Sequence, residues 1–167
     1  KKHIIKKKIK EGELFQKEKG LYSDTKLCFD LEVTVAKYPR AIFTGESAYY
    51  YYGFTDVIPE YYCLATRRCD TRIRDKGIKQ TFVNDDLFEI GRCQIEYQNI
   101  QIPIYSKERL LVDLVRFKNK FSFDYYKEII GSYRTIVDDL DFFEIEDYGG
   151  MLKSGKKIVD AIQLEVM

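Results

Sequence analysis

Histidine is almost missing from this chain: His3 is the only one, and it lies in a lysine-rich run. The four cysteines, at positions 28, 63, 69 and 93, form no C-x-x-C pair. Structural zinc needs closely paired Cys and His ligands, so no metal site is expected, and no cofactor either. The cysteines are expected to be buried free thiols in a reducing cytoplasm. Only three prolines and ten glycines occur, which argues against a long disordered linker. No apolar run approaches the ~20 residues that span a bilayer, and no signal-peptide pattern appears. A cytoplasmic protein without a membrane partner is the expectation. The chain begins with Lys1 rather than Met, so an N-terminal piece is expected to be missing.

What is present suffices for a core. The 167 residues are 45% hydrophobic and 15% aromatic, enough for one ordinary domain or a domain with a small appendage. The net charge of +1 is unevenly spread. Residues 1–20 hold eight lysines against three glutamates, a balance of +5, so the remainder carries −4. Such asymmetry suggests a basic element beside a near-neutral or acidic body.

Lys1–Glu11 reads as a helix, with Ile5 and Ile9 four apart and lysines on the other faces. Gly12 suits the position after its end. Phe15–Lys17 and Leu21–Ser23 flank the polar turn Glu18-Lys19-Gly20 and read as a short hairpin. A helix followed by a small hairpin is the tail of a winged helix-turn-helix, in which the helix reads the major groove and the hairpin is the wing. Lys1, Lys2, Lys6, Lys7, Lys8, Lys10, Lys17 and Lys19 are then the candidate DNA-contacting residues. The same run is equally the pattern of a solvated amphipathic helix.

Leu27–Tyr38 is expected to be a helix ending before Pro39. Ala41–Phe43 reads as a short buried segment, and Thr44 as the cap of a helix over Gly45–Tyr52 that Gly53 stops. Five strands are expected, at Tyr61–Thr66, Gln80–Val83, Leu87–Ile90, Gln94–Tyr97 and Ile100–Tyr105. Pro103 points to an edge strand or a bulge in the last of them. Helices are expected over 106–118, Phe123–Tyr133, Thr135–Asp147 and, after a Gly149-Gly150 break, Met151–Val166. The fold class is α+β: the remnant of a winged helix-turn-helix over 1–26, then a small sheet packed with helices over 27–167.

Enzyme readings fail on spacing, and no catalytic residue is assigned. A PD…(D/E)xK nuclease needs a lysine two places after a strand acid. Glu89-Ile90-Gly91 and Glu96-Tyr97-Gln98 lack it. A nucleotidyltransferase needs a Gly-Ser followed by paired acids. Gly45-Glu46-Ser47 imitates the first part, but Asp56-Val57-Ile58 lacks the second acid. The tyrosine run 49–52 points in all directions on a helix, so core and interface duty is expected of it. The basic stretch Arg67–Lys79 is either a phosphate-contacting patch or a solvated loop. The acidic run Asp138–Asp147 reads as a solvent face.

The most informative stretch is Tyr105–Arg116. Leu110 with Leu114, and Leu111 with Val115, stack along one side of a helix. Ser106 is its expected N-cap, and Glu108 falls in the first turn. Asp113 lies within reach of both Arg109 and Arg116. A structural ion-pair network is the ordinary meaning of such a row.

Three blocks together resemble a family. Tyr38-Pro39…Thr44…Ser47-Ala48…Tyr52-Gly53-Phe54…Asp56…Ile58-Pro59 is similar to the start of the effector domain of AbiEi-type antitoxins. Ile104-Tyr-Ser106-Lys-Glu108-Arg109-Leu-Leu-Val-Asp113-Leu-Val-Arg116 resembles that family's later "V.S.ERTLVDLLR" pattern, and Gly12…Gly20-Leu21-Tyr22 its wing. The family's histidine before glycine is Tyr52 here, and its threonine after arginine is Leu110. The resemblance implies a transcriptional autorepressor and antitoxin of a type IV toxin–antitoxin system, active in abortive infection and phage defence. Its winged helix would bind inverted repeats in its own promoter. The C-terminal domain would counteract a nucleotidyltransferase-like toxin without stable direct binding. Thr44, Ser47, Tyr52, Gly53, Arg109, Asp113 and Arg116 form the implied antitoxin-domain motif. The alternatives are a protein- or nucleotide-interaction domain that does not bind DNA, or a degenerate nuclease-like domain.

Overall fold

The computed structural model describes residues 2–24 and 30–167. It divides into two compact units, Lys1–Ala41 and Ile42–Met167. Leu27 and Cys28 lie outside the described residues, as does Lys1, and of Lys2 only the backbone is described.

In the first unit, α1 (Lys2–Lys10) is followed by the antiparallel pair β1 (Phe15–Glu18) and β2 (Leu21–Ser23). Gly12 ends the helix at φ +73°, a left-handed conformation that glycine adopts without steric penalty. There the Glu13 amide donates back to the Lys8 carbonyl at 2.9 Å. Gly20, at φ +89°, makes the hairpin turn. Helix α2 (Asp30–Lys37) buries Leu31 and Thr34 and stops ahead of Pro39, whose ring disfavours helical geometry in the residue before it.

The second unit is a five-stranded mixed sheet packed with helices. Its strands are β3 (Ile42–Phe43), β4 (Tyr62–Arg67), β5 (Ile78–Val83), β6 (Arg92–Tyr97) and β7 (Ile100–Tyr105), in the order β5-β4-β3-β7-β6. β3 runs antiparallel to β4 and parallel to β7, β4 parallel to β5, and β6 antiparallel to β7. The Gln98-Asn99 turn joining β6 to β7 has both residues at positive φ, the geometry that matches the right-handed twist of a hairpin. Helix α3 (Gly45–Tyr51) follows β3, and the helical turn α4 (Asp85–Phe88) follows β5. Then come α5 (Lys107–Arg116), a 3-10 turn (Lys118–Lys120), α6 (Phe123–Thr135), a second 3-10 turn (Val137–Asp139), α7 (Phe142–Gly150) and α8 (Gly155–Val166). The core is built from Ile42, Phe43, Leu64, Ile102 and Ile104 on the sheet and Leu110, Leu111 and Leu114 on α5. α5 packs against α7 and α8.

Several expectations need correction. Leu87–Ile90 is not a strand: Asp85 and Asp86 open the helical turn α4, where acids suit the N-terminal dipole. The carbonyls of Leu87 and Ile90 are taken by a side chain instead of a ladder. Thr135–Asp147 is not one helix: Asp141 caps α7, its Oδ1 accepting from the Phe143 amide at 2.9 Å, so a new helix starts there. The break expected at Gly149-Gly150 falls just after it: the pair forms the last two residues of α7, and α8 begins only at Gly155. These glycines permit close backbone approach, for a Cβ on Gly155 would lie 1.7 Å from the Gly149 carbonyl oxygen. Pro103 marks neither an edge nor a bulge: β7 lies between β3 and β6 and pairs in continuous register with β6. The two-residue β3 meets β7 only at Phe43 opposite Ile104. Cys69 is exposed rather than buried, because it sits in the loop after β4.

Candidate functional site

Helix α5 is held by its ends and by aromatic hydroxyls. Ser106 Oγ accepts from the Arg109 amide at 3.3 Å, the N-cap bond the sequence implies. Tyr49, buried on α3, donates its hydroxyl to the Leu110 carbonyl at 3.2 Å, and Tyr133 of α6 donates to the Lys107 carbonyl at 2.8 Å. The apolar stripe Leu110, Leu111, Leu114 and Val115 is buried where α5 packs against α3, α7 and α8, and the Arg–Asp–Arg row lies on the same helix.

Arg109 is 2% exposed. Its guanidinium sits 3.6 Å over the Tyr105 ring and 4.7 Å over the Tyr148 ring. Its Nη1 donates to the carbonyls of Leu87 and Ile90. Asp113 Oδ2 lies 3.5 Å from Arg109 Nε, an ion-pair distance without hydrogen-bond geometry. Asp113 Oδ1 accepts from the Tyr148 hydroxyl at 2.9 Å and lies 3.9 Å from Arg116 Nη1. Gly91 is required here: at φ +66°, a Cβ on it would stand 2.8 Å from Arg109 Cβ. Burial pushes the Asp113 carboxyl above its ordinary range, against the opposing pull of Arg109, the Tyr148 hydroxyl and Arg116. Burial likewise pushes the Tyr105 hydroxyl up to about 12, although Arg109 pulls it down.

No protein-family model matches the chain, and no curated protein matches it. The site therefore stands on its own geometry. The row opens on a cleft of about 390 Å³. Arg109, Asp113, Arg116 and Thr44 all line it, together with Glu46, Cys63 and Lys79. Thr44 stands at the N-cap position of α3, but its side chain makes no capping hydrogen bond. The other motif residues serve elsewhere. Ser47 is fully buried, donating to the Tyr61 carbonyl at 3.1 Å and accepting from the Cys63 amide at 2.8 Å, which pins α3 to β4. Tyr52 donates to the Tyr105 carbonyl at 3.0 Å and stacks on Phe54. Gly53 ends α3 at φ +72°.

Of the candidate DNA-contacting lysines, Lys6, Lys7, Lys8, Lys10 and Lys19 are exposed and Lys17 is half-buried. Lys7 and Lys8 pair with Glu11 at 3.7 Å and Glu13 at 3.5 Å. The basic stretch after β4 divides. Arg67 pairs with Glu89 at 2.6 Å over the Phe88 ring, while Arg68 and Lys79 line the cleft. Among the described residues, no three His, Cys, Asp or Glu side chains gather as a metal site would require, and no helix is long and apolar enough to cross a membrane.

Sequence reasoning missed the aromatic sandwich around Arg109. Tyr105 adjoins the N-cap and was within reach of a local reading. Tyr148 lies on α7, and only the fold brings it there. It also missed Lys79, Glu46 and Lys120 as cleft residues, since nothing in their spacing points to α5.

Proposed function

We propose that this chain is a DNA-binding transcriptional autorepressor and antitoxin of a type IV toxin–antitoxin system. The observation that carries the reading is the exposed lysine face of α1, followed directly by the β1–β2 hairpin with Lys17 and Lys19. That is the order of a recognition helix and its wing. The Tyr38–Pro59 and Ile104–Arg116 blocks support the antitoxin part. In this reading α1 enters the major groove of inverted repeats in the chain's own promoter, and the lysines hold the phosphates. Residues 27–167 counteract a nucleotidyltransferase-like toxin without a stable complex, and Arg109 and Asp113 position the domain rather than catalyse. The protein acts in the cytoplasm and has no enzymatic role.

A reporter fused to the chain's own promoter, combined with co-expression of the neighbouring toxin, tests this. The expected result is repression that the double variant Lys6→Glu/Lys10→Glu relieves, with rescue from toxicity retained by that variant. A wild-type chain that neither represses the promoter nor rescues would contradict the reading.

A further inference from the structure

The cleft beside α5 has a neighbour. A second cavity of about 590 Å³ is lined by Lys118, Phe123, Tyr126, Lys127, Arg134 and Glu165, and it shares Phe121 with the first. The two therefore meet at Phe121, and residues of the end of α5, the 3-10 turn and α6 line them. Residues 116–134 carry Arg116, Lys118, Lys120, Lys127 and Arg134 against Asp124 and Glu128, a balance of +3. The first cleft adds Arg68 and Lys79, with Glu46 paired to Lys79 at 3.2 Å.

The cations are interleaved with rings. Lys120 Nζ lies 4.3 Å and the Arg116 guanidinium 4.8 Å from the Phe117 ring centre. Lys127 lies 4.8 Å from the Phe123 ring and Lys118 5.7 Å from the Tyr126 ring. Phe121 stacks on Tyr125, and Phe123 is 71% exposed. The buried Tyr125 hydroxyl has no hydrogen-bond partner. Glu144 and Asp147 of the acidic run line, with Glu108, a third cavity that shares Arg109 and Tyr148 with the first.

A polar cleft, a second cavity one aromatic ring away, and alternating cations and rings match the chemistry of a single strand of nucleic acid. Phosphates need spaced cations; here Lys118 is shared with Glu165 at 3.4 Å and Arg116 with Asp113 at 3.9 Å, so a phosphate competes with a carboxylate at those two. Unpaired bases need ring faces, and every base has one to offer in return. A duplex stacks its base faces on one another and offers only their edges in the grooves. We propose that the face formed by residues 116–134 and the adjoining cleft binds single-stranded nucleic acid, with Arg116, Lys118, Lys120 and Lys127 on the phosphates and Phe121 and Phe123 under the bases. This site belongs to the second unit and does not depend on the promoter-binding reading of the first.

Fluorescence anisotropy of the full chain with labelled oligo-dT and oligo-U of about 12 nucleotides tests it, with the operator duplex measured in parallel. The expected result is binding to at least one strand with a salt slope of about −3, as about four phosphate contacts require. The arm that binds more tightly identifies the sugar. Phe123→Ala and Lys120→Glu, both at exposed positions, should each weaken it about tenfold and leave operator binding within about twofold. Lys6→Glu/Lys10→Glu should do the reverse. Circular dichroism of each variant confirms that it is folded. Failure of operator binding with single-strand binding intact would remove only the promoter reading. The proposal is overturned if neither strand binds up to about 100 µM at low salt. It is equally overturned if single-strand binding follows the α1 lysines and ignores Lys120 and Phe123.

Discussion

At the scale of single residues, Arg109 and Asp113 separate cleanly. Arg109 is enclosed by two rings, two carbonyls and a carboxylate. Lysine cannot reproduce the planar fork or the stacking, so Arg109→Lys should destabilise the fold by about 2–4 kcal/mol, by analogy with broken buried ion pairs. Asp113 behaves differently. Its folded carboxyl holds a proton more tightly than the unfolded one, so protonation favours the fold. Its contribution is complete below the ordinary carboxylate value and is lost as pH rises through the raised one. Asp113→Asn should remove that slope and keep an acceptor for Tyr148. Urea unfolding across a pH series checks this. A wild type that gains stability over the Asn variant as pH rises would contradict it. The row itself was legible from its spacing, because helical neighbours three and four apart must meet. Its partners Tyr148, Leu87 and Ile90 were not, because tertiary packing alone brings them close.

Cysteine chemistry follows the same local logic. Burial raises the Cys63 thiol, and Glu46 adds to the rise, while Cys69 stands in solvent. Iodoacetamide mapped by mass spectrometry should label Cys69 well before Cys63, since the thiolate is the reacting form. Equal rates in the folded protein would show that the Cys63 environment is more open than its packing implies.

Among the elements, the α7–α8 corner carries the sharpest expectation. Gly155 comes so close to the Gly149 carbonyl that a methyl group has no room, whereas a Cβ on Gly149 would press on the side-chain atom Val159 Cγ2 at 2.7 Å and meet the Gly155 carbonyl oxygen at an ordinary 3.7 Å. Gly155→Ala should therefore cost about 3 kcal/mol or more and Gly149→Ala less, read as urea midpoints at unchanged slope. This corner also shows where sequence patterns stop. The Gly-Gly pair signals a break by composition and does close α7, but the close approach of Gly155 to the Gly149 carbonyl is set by the fold. Leu87–Ile90 failed, since its apolar alternation imitates a strand while its carbonyls serve Arg109. α5 with its Ser106 cap was readable because the signal and the hydrogen bond lie within one turn, and α6 was readable from its periodicity, although its Ser122 cap was not.

On the scale of the whole molecule, charge is sorted. Lysines crowd α1 and the hairpin, cations and rings alternate over 116–134, and acids collect over 138–147. The central claim is that the first of these groups reads a promoter. Its direct test is a titration of the full chain against its own promoter repeats and a scrambled duplex of equal length, across a range of salt. A clear preference for the repeats is expected, with a slope of log affinity on log salt of about −4 to −5, shallower by about 2 in Lys6→Glu/Lys10→Glu. Equal affinity for both duplexes, or a slope unchanged in that variant, would contradict it.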